Sequence, residues 1–310
     1  MVISSAIKIA RPIHWIKNLA LFAAIFLTGL LQEDGLLIKV VWAFFAFNFA
    51  TSATYIVNDI LDAKQDRLHP VKKNRPIASG SLPLYLALFE AVLFAGLALI
   101  ISLTLNHLFF LLVGGYLLLQ LFYSFGLKNT PVIDILIIAT GFIIRVYAGA
   151  VVIDAHLSVW FLLCVISAAL FLASGKRRAE LNVLKSTNEV TRTSLIRYKT
   201  ELLNSYVTMF ANASWMSWAL YAFFESPKAA LPFWLVLAEI SKTTTVNKLL
   251  MATIPIVIFG IMRYESLIFE GKSEAPEKVL LTDKGLILAV TLWTAIVYWV
   301  LYSGISATVI

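Results

Sequence analysis

The sequence predicts an all-α integral membrane protein, and three observations support this fold class. Of the 310 residues, 60% are hydrophobic and 14% are charged, whereas soluble globular domains are about 45–50% apolar and about 25% charged. The mean hydropathy of +0.85 is too high for a soluble enzyme. The apolar residues also gather into long stretches, and about 20 mostly apolar residues form a helix that crosses a bilayer. These observations exclude a disordered chain, a nucleic-acid-binding module and a secreted disulfide scaffold.

Nine apolar stretches predict nine transmembrane helices, which make residues 1–310 a single transmembrane domain. Lys8, Arg11 and Lys17 precede the first stretch, which favours a retained first helix over a cleaved signal peptide. Cys164 is the one cysteine, so neither a disulfide framework nor a cysteine metal cluster is expected. The predicted helices span approximately residues 18–32, 37–58, 82–105, 107–126, 131–153, 157–174, 204–224, 246–269 and 285–308.

The distribution of lysine and arginine predicts the orientation of these helices. Most of the 25 basic residues lie in the N-terminal segment and in the loops on its side of the membrane. Cytoplasmic loops carry an excess of Lys and Arg, so we expect a cytoplasmic N-terminus and a location in the plasma (cytoplasmic) membrane. The two most highly charged loops follow the second and sixth predicted helices, which places a polar site at the cytoplasmic face.

An acidic cluster lies at the end of the second predicted helix. Asp59, Asp62 and Asp66 are spaced at i, i+3 and i+7, and Asn58 lies four residues before Asp62, so all four share one helical face. Ionisable groups on a membrane helix are costly and tend to be functional. Oxygen ligands without a His or Cys set suit Mg²⁺ better than zinc. We therefore predict that these four residues bind Mg²⁺ and that the three aspartates are catalytic. The alternative is a polar helix end that pairs with neighbouring basic residues.

The acidic cluster and other segments resemble the UbiA-type prenyltransferase superfamily. The spacing of Asn58, Asp59, Asp62 and Asp66 looks like the first aspartate-rich motif of that superfamily. Other segments resemble its polyprenyl-phosphate phosphoribosyltransferase branch, and the resemblance covers nearly the whole chain. These segments are residues 11–18, 75–80 and 123–134.

The resemblance implies a nine-helix UbiA-type bundle with a polar cavity that faces the cytoplasm and opens laterally to lipid. It also implies Mg²⁺-dependent transfer of 5-phosphoribose from phosphoribosyl pyrophosphate to a polyprenyl phosphate, with release of diphosphate. The product would be a precursor of an arabinan-type cell-envelope polysaccharide. The expected partners are these two substrates and the membrane; no nucleic acid is expected, and a homo-oligomer is left open.

A basic segment stands where the wider superfamily has its second aspartate-rich motif. After the sixth predicted helix, Lys176, Arg177 and Arg178 precede Glu180, and the phosphoribosyltransferase branch has a similar segment. Clustered cations bind phosphate oxygens, Arg through a planar fork and Lys as a point charge. A donor with phosphate groups at two ends could place one on the metal and the other here. We predict that these four residues bind substrate; alternatively, the cations only end the helix on the cytoplasmic side.

Further substrate-binding residues are expected in and near the fifth predicted helix. Asp134, Gly141 and Arg145 are spaced at i, i+7 and i+11 on one helical face. Arg145 is a charge within an apolar span, so it should meet a partner: Asp134, another carboxylate or a lipid phosphate. A purely structural ion pair is the alternative. The remaining predicted substrate-binding residues are Lys17, Asn58, Lys73, Arg75, Tyr123 and Lys128.

The predicted mechanism is a displacement at the anomeric carbon of the donor, with inversion of configuration. The lipid phosphate is already an anion near neutral pH, so the main requirement is stabilisation of charge on the departing diphosphate by Mg²⁺ and nearby cations. Two alternatives stay open. The missing second aspartate motif disfavours prenyl transfer to an aromatic or glycerol-type acceptor. Charges gathered at one face, rather than at the midplane, disfavour a transporter or lipid-binding protein.

Overall fold

Helices make up every regular element in the part of the chain that the structure describes. The computed structural model describes residues 2–68, 72–187, 195, 197–225, 248–270 and 276–303. The α-helices are α1 (Val2–Ile9), α2 (Phe22–Leu27), α3 (Leu36–Asp66), α4 (Leu84–Leu105), α5 (His107–Phe125), α6 (Ile133–Val152), α7 (Val159–Thr187), α8 (Thr200–Phe224), α9 (Ile254–Phe269), α10 (Pro276–Thr282) and α11 (Lys284–Tyr302). The 3-10 helices are Pro12–Leu21, Lys72–Asn74, Leu127–Asn129 and Leu249–Thr253.

Seven helical stretches among the described residues are long and apolar enough to cross a membrane. The prediction of an all-α protein with helices of membrane-spanning length is therefore confirmed. Of the nine predicted helices, the first corresponds to a shorter apolar stretch over Pro12–Leu27, and the seventh corresponds to α8, which is not among the seven. The seven are α3, α4, α5, α6, α7 over Val159–Asn182, Leu249–Phe269 and α11.

Two helices continue well past the ends of their predicted membrane spans. The second predicted span stops at residue 58, and α3 continues to Asp66, in agreement with the predicted helical face of the acidic cluster. The sixth stops at residue 174, whereas α7 continues through the basic segment to Thr187. Charged residues end an apolar stretch without ending a helix, because partners three or four residues apart stabilise it. In α7, Glu180 forms such pairs with Lys176 and Arg177.

The first predicted helix is replaced by a ten-residue 3-10 helix, Pro12–Leu21, followed by the short α2. Pro12 fixes its own φ and lacks a backbone N–H, so it suits the start of the segment. Gly29 and Gly35 both have φ +78°, a left-handed conformation that glycine adopts without strain. They lie in the connection that separates α2 from α3. The continuous span that we predicted over residues 18–32 is therefore wrong as a single helix.

The chain divides into two compact units. The first contains α1, the 3-10 helix Pro12–Leu21 and helices α3 to α6. Part of its core is an apolar cluster that includes Ile9 of α1, Ile56 of α3 and Ala91 of α4. The second contains α7 to α11, with a core cluster that includes Phe171 of α7 and Ile268 of α9. Each unit thus has an apolar core of its own.

Helix α11 of the second unit begins with a charged N-cap. The Oδ1 atom of Asp283 accepts a hydrogen bond from the backbone N–H of Leu286 at 3.0 Å. Arg263 donates to Oδ2 of the same carboxylate at 2.7 Å. The bond from Arg263, followed by the backbone bond, lowers the pKa of Asp283 from 3.8 to about 2. Because the folded-state pKa lies below the unfolded one, the carboxylate stabilises the fold above pH 3.8 and loses this effect as the pH falls towards 2.

We expect Asp283→Ala to lower the melting temperature at neutral pH, because it removes both the cap and the ion pair. The melting temperature of Asp283→Asn should lie between those of Asp283→Ala and the unmodified protein, since an amide oxygen still caps the helix. Melting curves in detergent between pH 7 and pH 2 check this. The difference between Asp283→Ala and the unmodified protein should shrink below pH 4, and a difference that does not change with pH would contradict the assignment.

Candidate active site

The last turns of α3 present the predicted acidic cluster. Asp59 and Asp66 are buried, with 2% and 4% of their surface exposed. Asp62 and Asn58 are half-buried, and the side-chain amide of Asn58 donates to Asp62 Oδ2 at 3.0 Å. Because α3 remains helical to Asp66, the four side chains lie within two and a half turns of one another. Buried carboxylates are tolerated when cations pair with them, so their partners define the site.

Two arginines bind the two buried carboxylates. Arg75 donates from one nitrogen to Asp59 Oδ1 at 3.1 Å and to Asp66 Oδ2 at 2.6 Å. Arg11 donates to the same oxygen of Asp59, and its guanidinium stacks 4.9 Å from the ring centre of Tyr55. Arg75 follows the 3-10 turn Lys72–Asn74 and was among our predicted residues, whereas Arg11 was not. The four charged groups therefore form one continuous network.

Arg11 has an unusual backbone conformation. It precedes the 3-10 helix as its N-cap, with φ 51° and ψ 58°, a left-handed region that non-glycine residues seldom occupy. Backbone strain of this kind is found where surrounding contacts enforce it, often at functional sites. The contacts here are the ion pair with Asp59 and the stacking on Tyr55. The sequence signal that could have identified Arg11 is its position at the start of the family-like segment 11–18.

Lys128 lies against the other half of the cluster. Its ammonium group is 2.6 Å from Asp62 Oδ1 and 3.3 Å from Asn58 Oδ1. The residue is 9% exposed and belongs to the 3-10 turn Leu127–Asn129 between α5 and α6. One cation is thus held between an amide oxygen and a carboxylate oxygen. With Arg11 and Arg75, it balances the charge of the three aspartates.

Arg145 is buried in α6, and its partners are neutral. Its guanidinium donates to Asn18 Oδ1 at 2.6 Å, to the Gly141 carbonyl at 2.6 Å and to the Tyr116 hydroxyl at 2.9 Å. None of its hydrogen-bond acceptors among the described residues is a carboxylate. Asp134, one of the partners that we considered, is fully buried in the first turn of the same helix, three turns away. Of the partners that we considered for Arg145, Asp134 is therefore not the one that it binds.

Three other predicted residues of the first unit lie at varied depths. Lys17, on the 3-10 helix Pro12–Leu21, and Tyr123, near the end of α5, are half-buried. Lys73 is exposed on the Lys72–Asn74 turn. The ion-pair network itself therefore uses Arg75 and Lys128 from our predicted basic set, together with Arg11.

Two cations of the basic segment of the second unit, Lys176 and Arg177, lie against Glu180 of the same segment. Arg177 is fully buried and forms an ion pair with Glu180, and the Lys176 ammonium lies 4.0 Å from the same carboxylate. Arg178 donates to the side-chain oxygens of Asn182 and Asn204. Its guanidinium also lies 5.5 Å from the ring centre of Phe269. Arg178 therefore links α7 to α8 and α9.

We expect Arg178→Ala to destabilise the second unit by about 1.5–3 kcal/mol, because hydrogen bonds from a charged group are lost and the half-buried side-chain oxygens of Asn182 and Asn204 are left without them. Lys176→Ala is the matched control, since a partly exposed pair at 4.0 Å contributes about 0–1 kcal/mol. Thermal unfolding in detergent measures both. Equal melting temperatures for the two variants would contradict the structural role. An unchanged donor KM for Arg178→Ala would discredit our prediction that this residue contacts the donor.

Comparison with known proteins identifies the family of this chain. The profile of the UbiA prenyltransferase family matches residues 19–248. The chain belongs to the UbiA prenyltransferase family. Two decaprenyl-phosphate phosphoribosyltransferases resemble this UbiA-family chain along most of their length. The one from Corynebacterium glutamicum is 36% identical over 302 residues, covering 96% of this chain and 86% of the relative. The one from Mycolicibacterium smegmatis is 37% identical over 295 residues, covering 94% of this chain and 90% of the relative.

A solved structure shows the same fold. A UbiA homologue from Archaeoglobus fulgidus, bound to GPP and Mg²⁺, superimposes with a TM-score of 0.70 at 18% sequence identity. The match covers 96% of this chain and 99% of the homologue. The all-helical UbiA fold is therefore confirmed for this chain.

The acidic cluster is chemically suited to a divalent cation. Within the described ranges, no group of three or more His, Cys, Asp or Glu side chains converges as a ready-made metal site, because each aspartate of the cluster is turned towards a basic side chain. The ligand atoms are nevertheless all carboxylate or amide oxygens, which Mg²⁺ prefers. Asn58 and Asp62 already direct two oxygens at one cation, the Lys128 ammonium. A metal ion at this cluster would have to share these oxygen ligands with the basic side chains or displace the basic side chains from them.

Proposed function

We propose that this UbiA-family protein transfers 5-phosphoribose from phosphoribosyl pyrophosphate to a polyprenyl phosphate and releases diphosphate. The observation that carries the proposal is similarity over nearly the whole chain to relatives named decaprenyl-phosphate phosphoribosyltransferase. The geometry supports it, because every aspartate of the cluster is bound by a cation that could also bind phosphate oxygens. The basic segment of α7, in place of a second aspartate motif, suits a donor with phosphate at two ends.

The reaction needs charge stabilisation more than proton transfer. A phosphate oxygen of the lipid forms a bond to the anomeric carbon while the bond from that carbon to the diphosphate oxygen breaks. The electron pair leaves with the diphosphate, so no proton has to move, and attack opposite the leaving group inverts the anomeric configuration. Arg11, Arg75 and Lys128 hold positive charge beside the acidic cluster, where it lowers the energy of the departing diphosphate. Burial strengthens this effect, since little water screens the charges.

We assign Asn58, Asp59, Asp62 and Asp66 as the residues that would hold Mg²⁺. When bound, the ion supplies Lewis-acid stabilisation of diphosphate oxygens. The basic side chains that now pair with the carboxylates are placed to bind the donor phosphates instead. Each charged group of the network then has a partner both in the protein without ligands and in the protein with Mg²⁺ and donor bound.

The proposed membrane arrangement keeps the expectations drawn from the sequence. We place nine helices across the plasma membrane as a single domain, with the N-terminus and the acidic cluster on the cytoplasmic side. The polar cavity then faces the cytoplasm and opens laterally, so that the polyprenyl tail remains in lipid. The product would serve as a precursor of an arabinan-type envelope polysaccharide.

One assay tests the proposal against prenyl transfer. The purified protein is incubated with radiolabelled phosphoribosyl pyrophosphate, Mg²⁺ and decaprenyl phosphate, and the lipid extract is counted. We expect a labelled lipid that forms with Mg²⁺ and not with excess EDTA. Absence of labelled lipid, together with prenylation of an aromatic acceptor from a prenyl diphosphate, would overturn the proposal.

A further inference from the structure

We propose that Arg145 is a positioning residue: its guanidinium holds the 3-10 helix Pro12–Leu21 where the Arg11 at its start meets Asp59. The kinetic part of this inference rests on the proposed function, whereas its structural part does not. Arg145 would then act on the reaction through the 3-10 helix rather than by contact with a substrate.

Arg145 connects four elements of the first unit. From α6 it donates to Asn18 of the 3-10 helix, to Tyr116 of α5 and, at 3.4 Å, to Thr51 of α3. It also donates to the carbonyl of Gly141 in its own helix. Its charge is solvated by these neutral oxygens and by the ring of Tyr116, whose centre lies 4.9 Å away. A buried charge with a hydrogen bond from each of its three nitrogens can hold helices together at a fixed position.

The 3-10 helix depends on such side-chain bonds. Runs of 3-10 geometry longer than three or four residues are uncommon, because their hydrogen bonds are poorly aligned, and this one has ten residues. Asn18 is fully buried, and its amide donates to Asn48 Oδ1 at 2.7 Å while its oxygen accepts from Arg145. Trp15 donates to Ser52 Oγ at 3.0 Å. The segment is thus fixed to α3 and α6 by side chains as well as by its own backbone.

Gly149 provides a second attachment to α6. A Cβ atom at this position would lie 2.0 Å from the carbonyl oxygen of Leu21, the last residue of the 3-10 helix. Real Cβ atoms essentially never approach that closely, so any side chain here would force the two backbones apart. Arg145 and Gly149 lie one turn apart on α6, and they contact Asn18 and Leu21, which are three residues apart. Together they fix both the position and the rotation of the segment.

The consequence reaches the ion-pair network through Arg11. This residue is the N-cap of the 3-10 helix, so a shift or rotation of the helix moves its guanidinium away from Asp59. A planar guanidinium can reach acceptors in several directions, whereas an ammonium cannot reproduce that fork. Arg145→Lys therefore keeps the positive charge but loses the hydrogen bonds that connect the helices. This variant separates a positioning role from a purely electrostatic one.

The kinetic test compares Arg145→Lys and Gly149→Ala with the control Gly115→Ala. We expect kcat/KM for phosphoribosyl pyrophosphate to fall by up to about 10²-fold in the first two, with a higher KM for this donor and an unchanged KM for decaprenyl phosphate. Gly115→Ala should match the unmodified protein, because a Cβ there meets no atom within 4 Å. A variant that merely misfolds would lose active molecules and keep both KM values. Lower kcat with unchanged KM values, or full activity of Arg145→Lys, would overturn the proposal.

A distance measurement tests the structural part without any activity. Spin labels are attached at Ile13→Cys on the 3-10 helix and Leu68→Cys beyond the end of α3, both exposed positions, in a Cys164→Ser background. We expect the distance distribution to shift or broaden with Arg145→Lys and with Gly149→Ala, but not with Gly115→Ala. Unchanged distances in the first two variants would overturn the positioning role. A changed distance in a protein without phosphoribosyl transfer would instead refute the proposed function alone.

Discussion

Asp59→Asn is expected to lower kcat/KM for phosphoribosyl transfer by about 10²–10³-fold or more, because it removes a charged oxygen ligand from the proposed metal site. The substitution keeps the shape of the side chain and leaves Arg11 and Arg75 without the carboxylate that both of them bind. We expect Asp62→Asn to have a similar effect through Lys128. Initial rates with radiolabelled donor, measured over a range of Mg²⁺ concentrations, check this.

Glu90→Gln is the matched control for these aspartate variants. It makes the same carboxylate-to-amide change on α4, in the same unit, but outside the ion-pair network. Its rates should equal those of the unmodified protein. Circular dichroism should show the same helix content in every variant. Near-normal turnover of Asp59→Asn at saturating Mg²⁺ would refute the assignment of the acidic cluster as the active site.

Arg75→Ala is expected to destabilise the protein by about 3–5 kcal/mol, because it removes the cation that bridges two buried carboxylates and leaves Asp66 without its ion pair. Asp59 and Asp66 would then repel each other at the end of α3. We further expect Mg²⁺ to raise the melting temperature of Arg75→Ala more than that of the unmodified protein. The metal would no longer compete with the guanidinium, and a bound ion would neutralise the same oxygens.

Arg67→Ala is the control for this prediction. Arg67 is exposed at the end of α3, one residue beyond Asp66, so its removal changes the net charge without breaking the network. Its melting temperature and its response to Mg²⁺ should match those of the unmodified protein. An equal response to Mg²⁺ in Arg75→Ala and Arg67→Ala would show that Arg75 and the metal do not share ligands.

Local spacing made part of the site predictable. The spacing of Asn58, Asp59, Asp62 and Asp66 is set by the period of one helix, so a single sequence is enough to place them together. Arg11 contacts Asp59 across 48 positions of the chain, and no periodicity in one sequence reports such a contact. Periodicity could therefore predict the acidic cluster as a unit, but it could not identify Arg11 as one of the cations that bind it.

The errors in our fold predictions also arise from contacts that local sequence patterns do not report. Hydropathy ended the sixth predicted helix at residue 174, whereas pairs such as Arg177 with Glu180 keep α7 helical beyond it. The 3-10 helix Pro12–Leu21 is bound through Asn18 by Arg145 and Asn48, which are distant in sequence. Local signals such as Pro12 show where a helix begins, but tertiary contacts decide which kind of helix forms.

The length of α3 has a consequence for the lipid substrate. Its 31 residues extend for about 46 Å at about 1.5 Å per residue, whereas the hydrocarbon layer is about 30 Å thick. In the proposed membrane arrangement, the final turns, with their aspartates, therefore reach the depth at which phospholipid headgroups lie. In the proposed reaction, a lipid phosphate arrives at that depth by lateral diffusion and never has to be drawn out of the bilayer. Only the water-soluble sugar donor has to diffuse from the aqueous phase to the site.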